Sequence, residues 1–472
     1  MIISLKTNDG RHDPISAEAL EAFRGGLRGA FCLPGEPGYE EARTLWNAMI
    51  DRRPAAVVRA VSAADVMRTV RLASEHKLLL AVRGGGHNIA GNAVCDGGLM
   101  LDLSLMKSIR VDPGARTARV EPGARLADLD RETQAFGLAV PVGINSTTGV
   151  AGLTLGGGFG WLSRKYGLTV DNLISADVVT AKGELLHASA SANSDLFWAI
   201  RGGGGNFGVV TSFEFKLHPV GPVIAGLIVH PFSNAKAVLD GYRKAVASAP
   251  EDLCVWAVMR KAPPLPFLAP EVHGKEVVVL ALCYSGDPGQ AEKAIGPFKA
   301  IGSPIAVAIG EQPFAGWQTA FDPLLTAGER NYWKSHDFTE LSDGLIDVLE
   351  EAVRTLPGPQ CEIFVANLGG AINRVAADAT AYPHRNVEFV MNVHVRWSTA
   401  AEDGAHIAWG RKMYDAAAPF ATGGVYVNFM PEDEQQRVKA GAYGRNFEKL
   451  AKLKAKYDPA NLFRLNQNVQ PA

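Results

Sequence analysis

Three runs of glycine fall between Gly84 and Gly208: Gly84-Gly85-Gly86 before His87, Gly156-Gly157-Gly158 before Phe159-Gly160, and Gly202-Gly203-Gly204-Gly205 before Asn206-Phe207-Gly208. Glycine tolerates positive φ and lets backbone N–H groups approach a ligand closely, so converging loops of this kind make nests for a pyrophosphate and a flat ring system. The third run formally contains G-x-G-x-x-G at Gly203, Gly205 and Gly208. A dinucleotide fingerprint of the Rossmann type follows a strand and opens a helix. Here the preceding Asp195–Arg201 has a helical pattern and the following Val209–Phe215 alternates like a strand, the reverse order. A nicotinamide site is therefore the weaker reading.

The 472 residues exceed what one hydrophobic core sustains, so two domains are expected. A formal net charge of -2, from mixed acidic and basic residues, offers no stripe for a polyanion, so neither nucleic acid nor a membrane surface is an expected partner. The opening MIISLKTNDGRHD has no apolar core of a signal peptide, and no window approaches the roughly 18 apolar residues of a membrane span. A cytoplasmic location is the default expectation. Cys32, Cys95, Cys254, Cys283 and Cys361 are scattered singly, and no H-E-x-x-H occurs. That pattern argues against metal sites and disulfide frameworks, so the cysteines read as small buried hydrophobes and any redox chemistry must come from an organic cofactor.

The pattern predicts a strand at Val57–Val61, a helix opening at Ser62 with Asp65 in the capping-box position, and a strand at Leu78–Val82 that delivers the chain to Arg83 and His87. Leu99–Leu103 and Arg116–Val120 read as strands, and Leu126–Phe136 as a helix stopped by Gly137. Past Leu217-His218-Pro219 glycine thins out. Strands at Leu253–Arg260, Glu276–Tyr284, Cys361–Leu368 and Val387–Trp397 then alternate with helices near 234–248, 340–355 and 400–417. An α+β chain with an antiparallel sheet covered by helices on one face is the simplest packing.

The Val387 strand alternates strictly. Val387, Phe389, Met391, Val393, Val395 and Trp397 take one face, while Glu388, Asn392, His394 and Arg396 share the other with Val390. The apolar set should pack under helices, and the polar set should face either water or a cleft.

Several segments together resemble the berberine bridge enzyme-like oxidases of the vanillyl-alcohol oxidase / p-cresol methylhydroxylase superfamily. They are R-G-G-G-H-N at 83–88, G-L-x-L-G-G-G-F-G at 152–160, K-Y-G-L-T-V-D-N at 165–172, D-L-F-W-A-I-R-G-G-G-G-N-F-G-V-V-T at 195–211, Y-V-N-F at 426–429 and Y-D-P-A-N-L-F-R-L-N-Q-N at 457–468. The resemblance implies a two-part FAD-binding domain of the p-cresol methylhydroxylase type, formed by residues 1–218 and completed by 423–472, with a substrate-binding domain at 219–422. It implies that His87 bonds the 8α-methyl of the flavin ring, an 8α-N-histidyl linkage. Many relatives add a cysteinyl bond where this chain has Asn145, which forms no thioether, so a singly tethered flavin is expected. Thr148 stands where relatives shape oxygen access. The same resemblance assigns cofactor contacts to Arg83, Gly84, Gly85, Gly86, Asn88, Thr147, Gly149, Gly152, Gly157, Gly158, Asn172, Gly208, Val209, Val210, Asn466 and Asn468.

The implied activity is removal of hydride from a C–H next to OH or NH of a small organic substrate, with O2 reoxidising the flavin. The alternatives are a dehydrogenase using another acceptor and a flavin-binding protein without turnover. An alcohol needs a base for its hydroxyl proton. Relatives often use a tyrosine where this chain has Phe429, or an acid where it has Asn392, and neither of these side chains is a base. His394, Tyr166 and Tyr426 remain as candidates, with His394 first because it titrates nearest neutrality. Asn428 and Asn172 would orient a polar substrate. Free amines need no base, and the missing phenol mildly favours them.

Overall fold

The computed structural model describes residues 3–472. Its largest element is a seven-stranded antiparallel sheet. The strands run in spatial order Ala306–Gln312, Val223–Pro231, Glu276–Tyr284, Leu253–Lys261, Glu362–Asn367, Phe389–Trp397 and Arg330–Phe338. One face is covered by the helices Ala235–Ala247, Ala291–Lys299, Asp343–Arg354 and Asp403–Ala417, and the core between them holds Val255, Leu280, Val365, Met391 and Val393. Helix Asp343–Arg354 shows how the sequence encodes this. The Ser342 hydroxyl caps it by accepting from Leu345 N–H, Asp343 and Arg354 complement the helix dipole, and Leu345, Ile346, Leu349 and Val353 form one apolar stripe.

The opposite face packs on the glycine-rich half. Trp256, Cys283, Phe364, Ala366 and Val390 share a core with Phe159, Trp161, Leu168 and Val170. Val387 belongs to this core, on the side opposite to that expected from alternation. The strand starts at Phe389, and the irregular backbone before it breaks the two-residue period.

The glycine-rich half holds a four-stranded sheet in the order Ala30–Cys32, Ala56–Arg59, Leu99–Asp102, Leu80–Arg83, its last three strands parallel. It also holds an antiparallel five-stranded sheet in the order Leu185–Ser189, Leu173–Val179, Val209–Lys216, Thr117–Val120, Ile109–Asp112. Ser62 caps helix Ala63–Glu75 as expected, but the Asp65 carboxylate accepts from Val61, Arg28 and Gly29 N–H and so ties the helix start to a neighbouring loop. All five cysteines are buried and unpaired.

The C-terminal segment returns to this half. Val425, Met430, Tyr443, Leu450 and Val469 sit in one core with Val178, Phe207 and Phe213. Asn206, in the third glycine run, is fastened from that segment. Its amide donates to Gly203 O and Gln467 O, and its oxygen accepts from Val469 N–H. Lys454 donates to Asn206 O at 2.8 Å, Phe463 O at 2.9 Å and Asp458 at 2.7 Å, with both side chains of this ion pair fully buried. Removing one partner of such a pair leaves a naked buried charge. Lys454→Ala should therefore cost about 3–5 kcal/mol of stability, measured by chemical denaturation, whereas Lys454→Met with Asp458→Asn should recover a large part of it.

Candidate active site

A cavity of about 370 Å³ runs from the glycine loops to the free face of the large sheet. Gly84–Asn88, Asn145, Thr148, Gly149, Gly152, Gly204, Gly205, Gly208, Val209, Val210 and Asn466 line one end. Arg260, Glu362, Phe364, Asn392 and His394 come from the sheet, and Tyr426, Asn428 and Phe429 from the C-terminal segment.

The loops at the first end are packed so closely that side chains are excluded. A Cβ on Gly85 would lie 2.4 Å from Gly149 Cα, so the two backbones touch. Gly86 and Gly208 have φ of +73° and +153°, values that favour glycine. At Gly152 and Gly205 a Cβ would meet nothing within 4 Å, because those positions open onto the cavity.

His87 stands at the head of the first loop. Its ring stacks on Trp46 at 4.3 Å, and its Nε2 lies 3.0 Å from the Thr147 hydroxyl. That hydroxyl donates to Asn145 Oδ1 at 2.7 Å, and Thr147 N–H donates to the same oxygen. An amide oxygen only accepts, so the Thr147 oxygen is left to accept from Nε2–H, which places the lone pair of His87 on Nδ1. Burial, reinforced by the positive charges of Arg125 and Arg396 and by His394, pushes the imidazole down to about 3. His87 is therefore neutral at physiological pH.

At the sheet end, strand register sets Arg260 opposite Glu362, Glu362 opposite His394, and His394 opposite Trp333. Arg260 donates to Glu362 at 2.6 Å, and the other carboxylate oxygen lies 3.5 Å from His394 Nδ1. His394 Nε2 and both amide atoms of Asn392 have no hydrogen-bond partner among the described residues, though both residues are at least 96% buried. Phe429 packs edge-on to Tyr426, Trp333, Phe364 and Phe159. The Tyr426 phenol oxygen accepts from Gly158 N–H and from the Asn428 amide, and burial pushes its pKa up to about 12.

Some expected residues stand away from the cavity. Tyr166 stacks on His218 at 4.0 Å. Asn172 is consumed by His218, Tyr166 O and Leu168 O, so a turn rather than a ligand takes its amide. Arg83 donates to Glu41 O and Ala42 O beside Asp102, and Gly157 and Gly158 pack on Tyr382 and Thr169. Thr147 and Asn468 do not line the cavity, but Thr147 holds His87 from behind.

A model of the FAD binding domain matches residues 54–189, and one described as berberine and berberine like matches residues 425–470. An FAD-linked oxidoreductase of Dictyostelium discoideum is 33% identical over 462 residues, 97% of this chain and 98% of that protein. The chain belongs to the berberine bridge enzyme-like FAD-linked oxidoreductases. Another relative, the (R)-6-hydroxynicotine oxidase of Paenarthrobacter nicotinovorans, is 28% identical over 94% of this chain and 97% of its own length. The structure of BBE-like 1 from Physcomitrella patens superposes with a TM-score of 0.85 at 26% identity, covering 96% of this chain and 99% of that one.

The cavity of this berberine bridge enzyme-like chain fits FAD. Its backbone cradle lacks side chains where Gly152 and Gly205 open onto it, and the buried Asn92 Nδ2 and Asn466 Oδ1 on its wall lack partners among the described residues. Sequence reasoning passed over Trp46, Asn92, Arg260, Glu362 and Trp333. For Arg260 and Glu362 the signal was present, since each is a charged residue on the face of its strand that otherwise carries apolar groups. Among the described residues no helix is long and apolar enough to cross a membrane.

The Gly85–Gly149 contact generates a direct test. Gly85→Ala must part the two loops, at a cost of about 1–3 kcal/mol, and should lower the flavin-to-protein absorbance ratio of the purified enzyme several-fold. An unchanged ratio would show that the loops yield without disturbing the cofactor.

Proposed function

We propose that this chain oxidises a small organic molecule at a C–H next to OH or NH, with FAD tethered through Nδ1 of His87 and O2 as the final electron acceptor. When bound, FAD would supply the two-electron sink for the departing hydride. The observation that carries the reading is the His87–Thr147–Asn145 chain, which leaves Nδ1 free on an imidazole that burial keeps neutral at the head of the glycine cradle. Asn145 orients Thr147 at the position where a second tether would need a sulfur, so a single covalent bond through His87 is expected. Residues 1–218 with 423–472 would form the FAD-binding unit, and 219–422 the cover that brings Asn392 and His394 to the substrate. His394 is the proton acceptor in this reading, because Tyr426 is spent on Gly158 and Asn428. A cytoplasmic location belongs to the same reading.

Purified protein should be yellow, and acid precipitation should leave the colour in the pellet. With His87→Ala the colour should pass into the supernatant or be lost. Colour released from the wild type would mean FAD held without a bond, and a colourless wild type would sink the flavoenzyme reading. Peroxide formed in step with substrate oxidation under air would support O2, and its absence with a working artificial acceptor would point to a dehydrogenase.

A further inference from the structure

We propose that Arg260, Glu362 and His394 form a proton-accepting row that fits this site to a neutral alcohol on an apolar body, with Glu362 as the positioning residue for His394. The inference rests on the function proposed above and names the substrate class of that same cavity.

The row is a product of the sheet. Three adjacent strands present Arg260, Glu362 and His394 side by side on the cavity face, and Trp333 on a fourth strand closes the row edge-on to His394 at 4.5 Å. Burial would push the Glu362 carboxyl up, but Arg260, then His394 and Arg396, outweigh it and hold it well below the usual carboxylate range. A buried carboxylate accepts, so His394, on the cavity wall, turns Nδ1–H toward it and leaves the Nε2 lone pair without a partner. Burial pulls the imidazole below its ordinary value and Glu362 pulls it back, which keeps it neutral and basic near pH 7. The charged groups that act on His394 are Glu362 on the next strand, Arg260 on the strand beyond it and Arg396 on its own strand, while His87 faces it from the glycine loop.

An unpaired nitrogen alone does not carry this. His230 is also fully buried with both ring nitrogens unpartnered among the described residues, yet it has no charged neighbour and lies off the cavity. What distinguishes His394 is an ionised carboxylate beside it and a place on the cavity wall.

The rest of the substrate wall sets the class. Leu227, Trp256, Val258, Val279, Phe364 and Phe429 surround the row and offer almost no polar partners. A polyhydroxylated molecule would bury unpaired hydroxyls there, at about 1–3 kcal/mol each. A protonated amine would meet Arg260 on the cavity wall, and Glu362, the carboxylate there, is already committed to it. A single hydroxyl on an apolar or aromatic body can pair with His394 and the Asn392 amide and brings no further polar group against the apolar wall. In the step, the O–H bond breaks and its proton goes to His394 Nε2. The carbinol hydrogen leaves with its electron pair to the oxidised flavin of the proposed function, and the C–O bond becomes C=O. The substrate thus loses two hydrogens and two electrons.

The test uses flavin-loaded enzyme under anaerobic stopped flow, with benzylic, allylic and aliphatic secondary alcohols, 1-phenylethylamine and cellobiose as probes. Apolar alcohols should bleach the flavin, at a rate that rises with pH through one ionisation and then levels, because only neutral His394 accepts a proton. His394→Ala should abolish that ionisation and lower the limiting rate about 100-fold or more. Glu362→Gln removes the group that raises His394, so its ionisation should move to lower pH with a smaller plateau. A merely structural role would lower stability without moving the profile. Independently of turnover, the 15N shifts of His394 in the holoenzyme, assigned by difference from His394→Ala, should show Nδ1–H and a bare Nε2. An Nε2–H tautomer, an unmoved profile in Glu362→Gln, or bleaching by the amine or cellobiose as fast as by the alcohols would overturn the inference. In each of those outcomes the enzyme stays yellow with His87-bound flavin, so the FAD-dependent oxidation proposed above would stand and only the roles given to His394 and Glu362 and the substrate class would fall.

Discussion

The loop carrying His87 and the loop carrying Asn145 and Thr148 meet backbone to backbone at Gly85 and Gly149, with no room for a single methyl between them. That contact places the Thr147 hydroxyl against His87 Nε2, and the hydroxyl in turn is set by Asn145. Which nitrogen of His87 is free, and where it points, therefore follows from a contact between two glycines. The third loop is anchored differently, by Asn206 and the buried Lys454–Asp458 pair of the C-terminal segment. A cofactor site demands this stiffness, since a bound ring is only useful if it meets the same wall each time.

The far end of the cavity uses charge where the near end uses close packing. Burying Arg260, Glu362 and Arg396 near one another costs desolvation that apolar residues would avoid. Arg396 is stabilised by Gln360, Thr326 and the face of Trp46, the same ring that stacks on His87. Trp46 thus links the two ends, with its own indole N–H donated to Leu325 O.

The glycine runs, the order of the central elements and the helix-covered face of the Phe389 strand were legible because each is a local signal of turn chemistry or two-residue alternation. Strands Val223–Pro231, Ala306–Gln312 and Arg330–Phe338 were not. The first is nearly continuous in apolar residues, the second is a short edge strand, and the third mixes Lys334, His336 and Asp337 with aromatics because both of its faces are buried. Val387 shows the limit of alternation, which says nothing about where a strand begins. Asn172 shows the limit of motif matching, since its place in K-Y-G-L-T-V-D-N is kept for the hydrogen bonds of a turn. The Arg260–Glu362–His394 row was invisible for another reason. Its first two members are 102 residues apart and meet only through strand order, which no single strand encodes.

Phe429 and the row account for each other. With phenylalanine at this place the wall gains an aromatic contact with Trp333 and Phe364 and loses a phenol. The remaining phenol, Tyr426, accepts two hydrogen bonds and is pushed up to about 12 by burial, so near neutral pH it stays protonated. A C–H next to a hydroxyl cannot be oxidised to a carbonyl unless something takes the hydroxyl proton. Among the side chains on the sheet side of this cavity, only His394 combines a free lone pair with a carboxylate placed to stabilise the charge it would gain. A base on the sheet, as proposed, stands in for one on the C-terminal loop and leaves the surrounding wall free to be apolar.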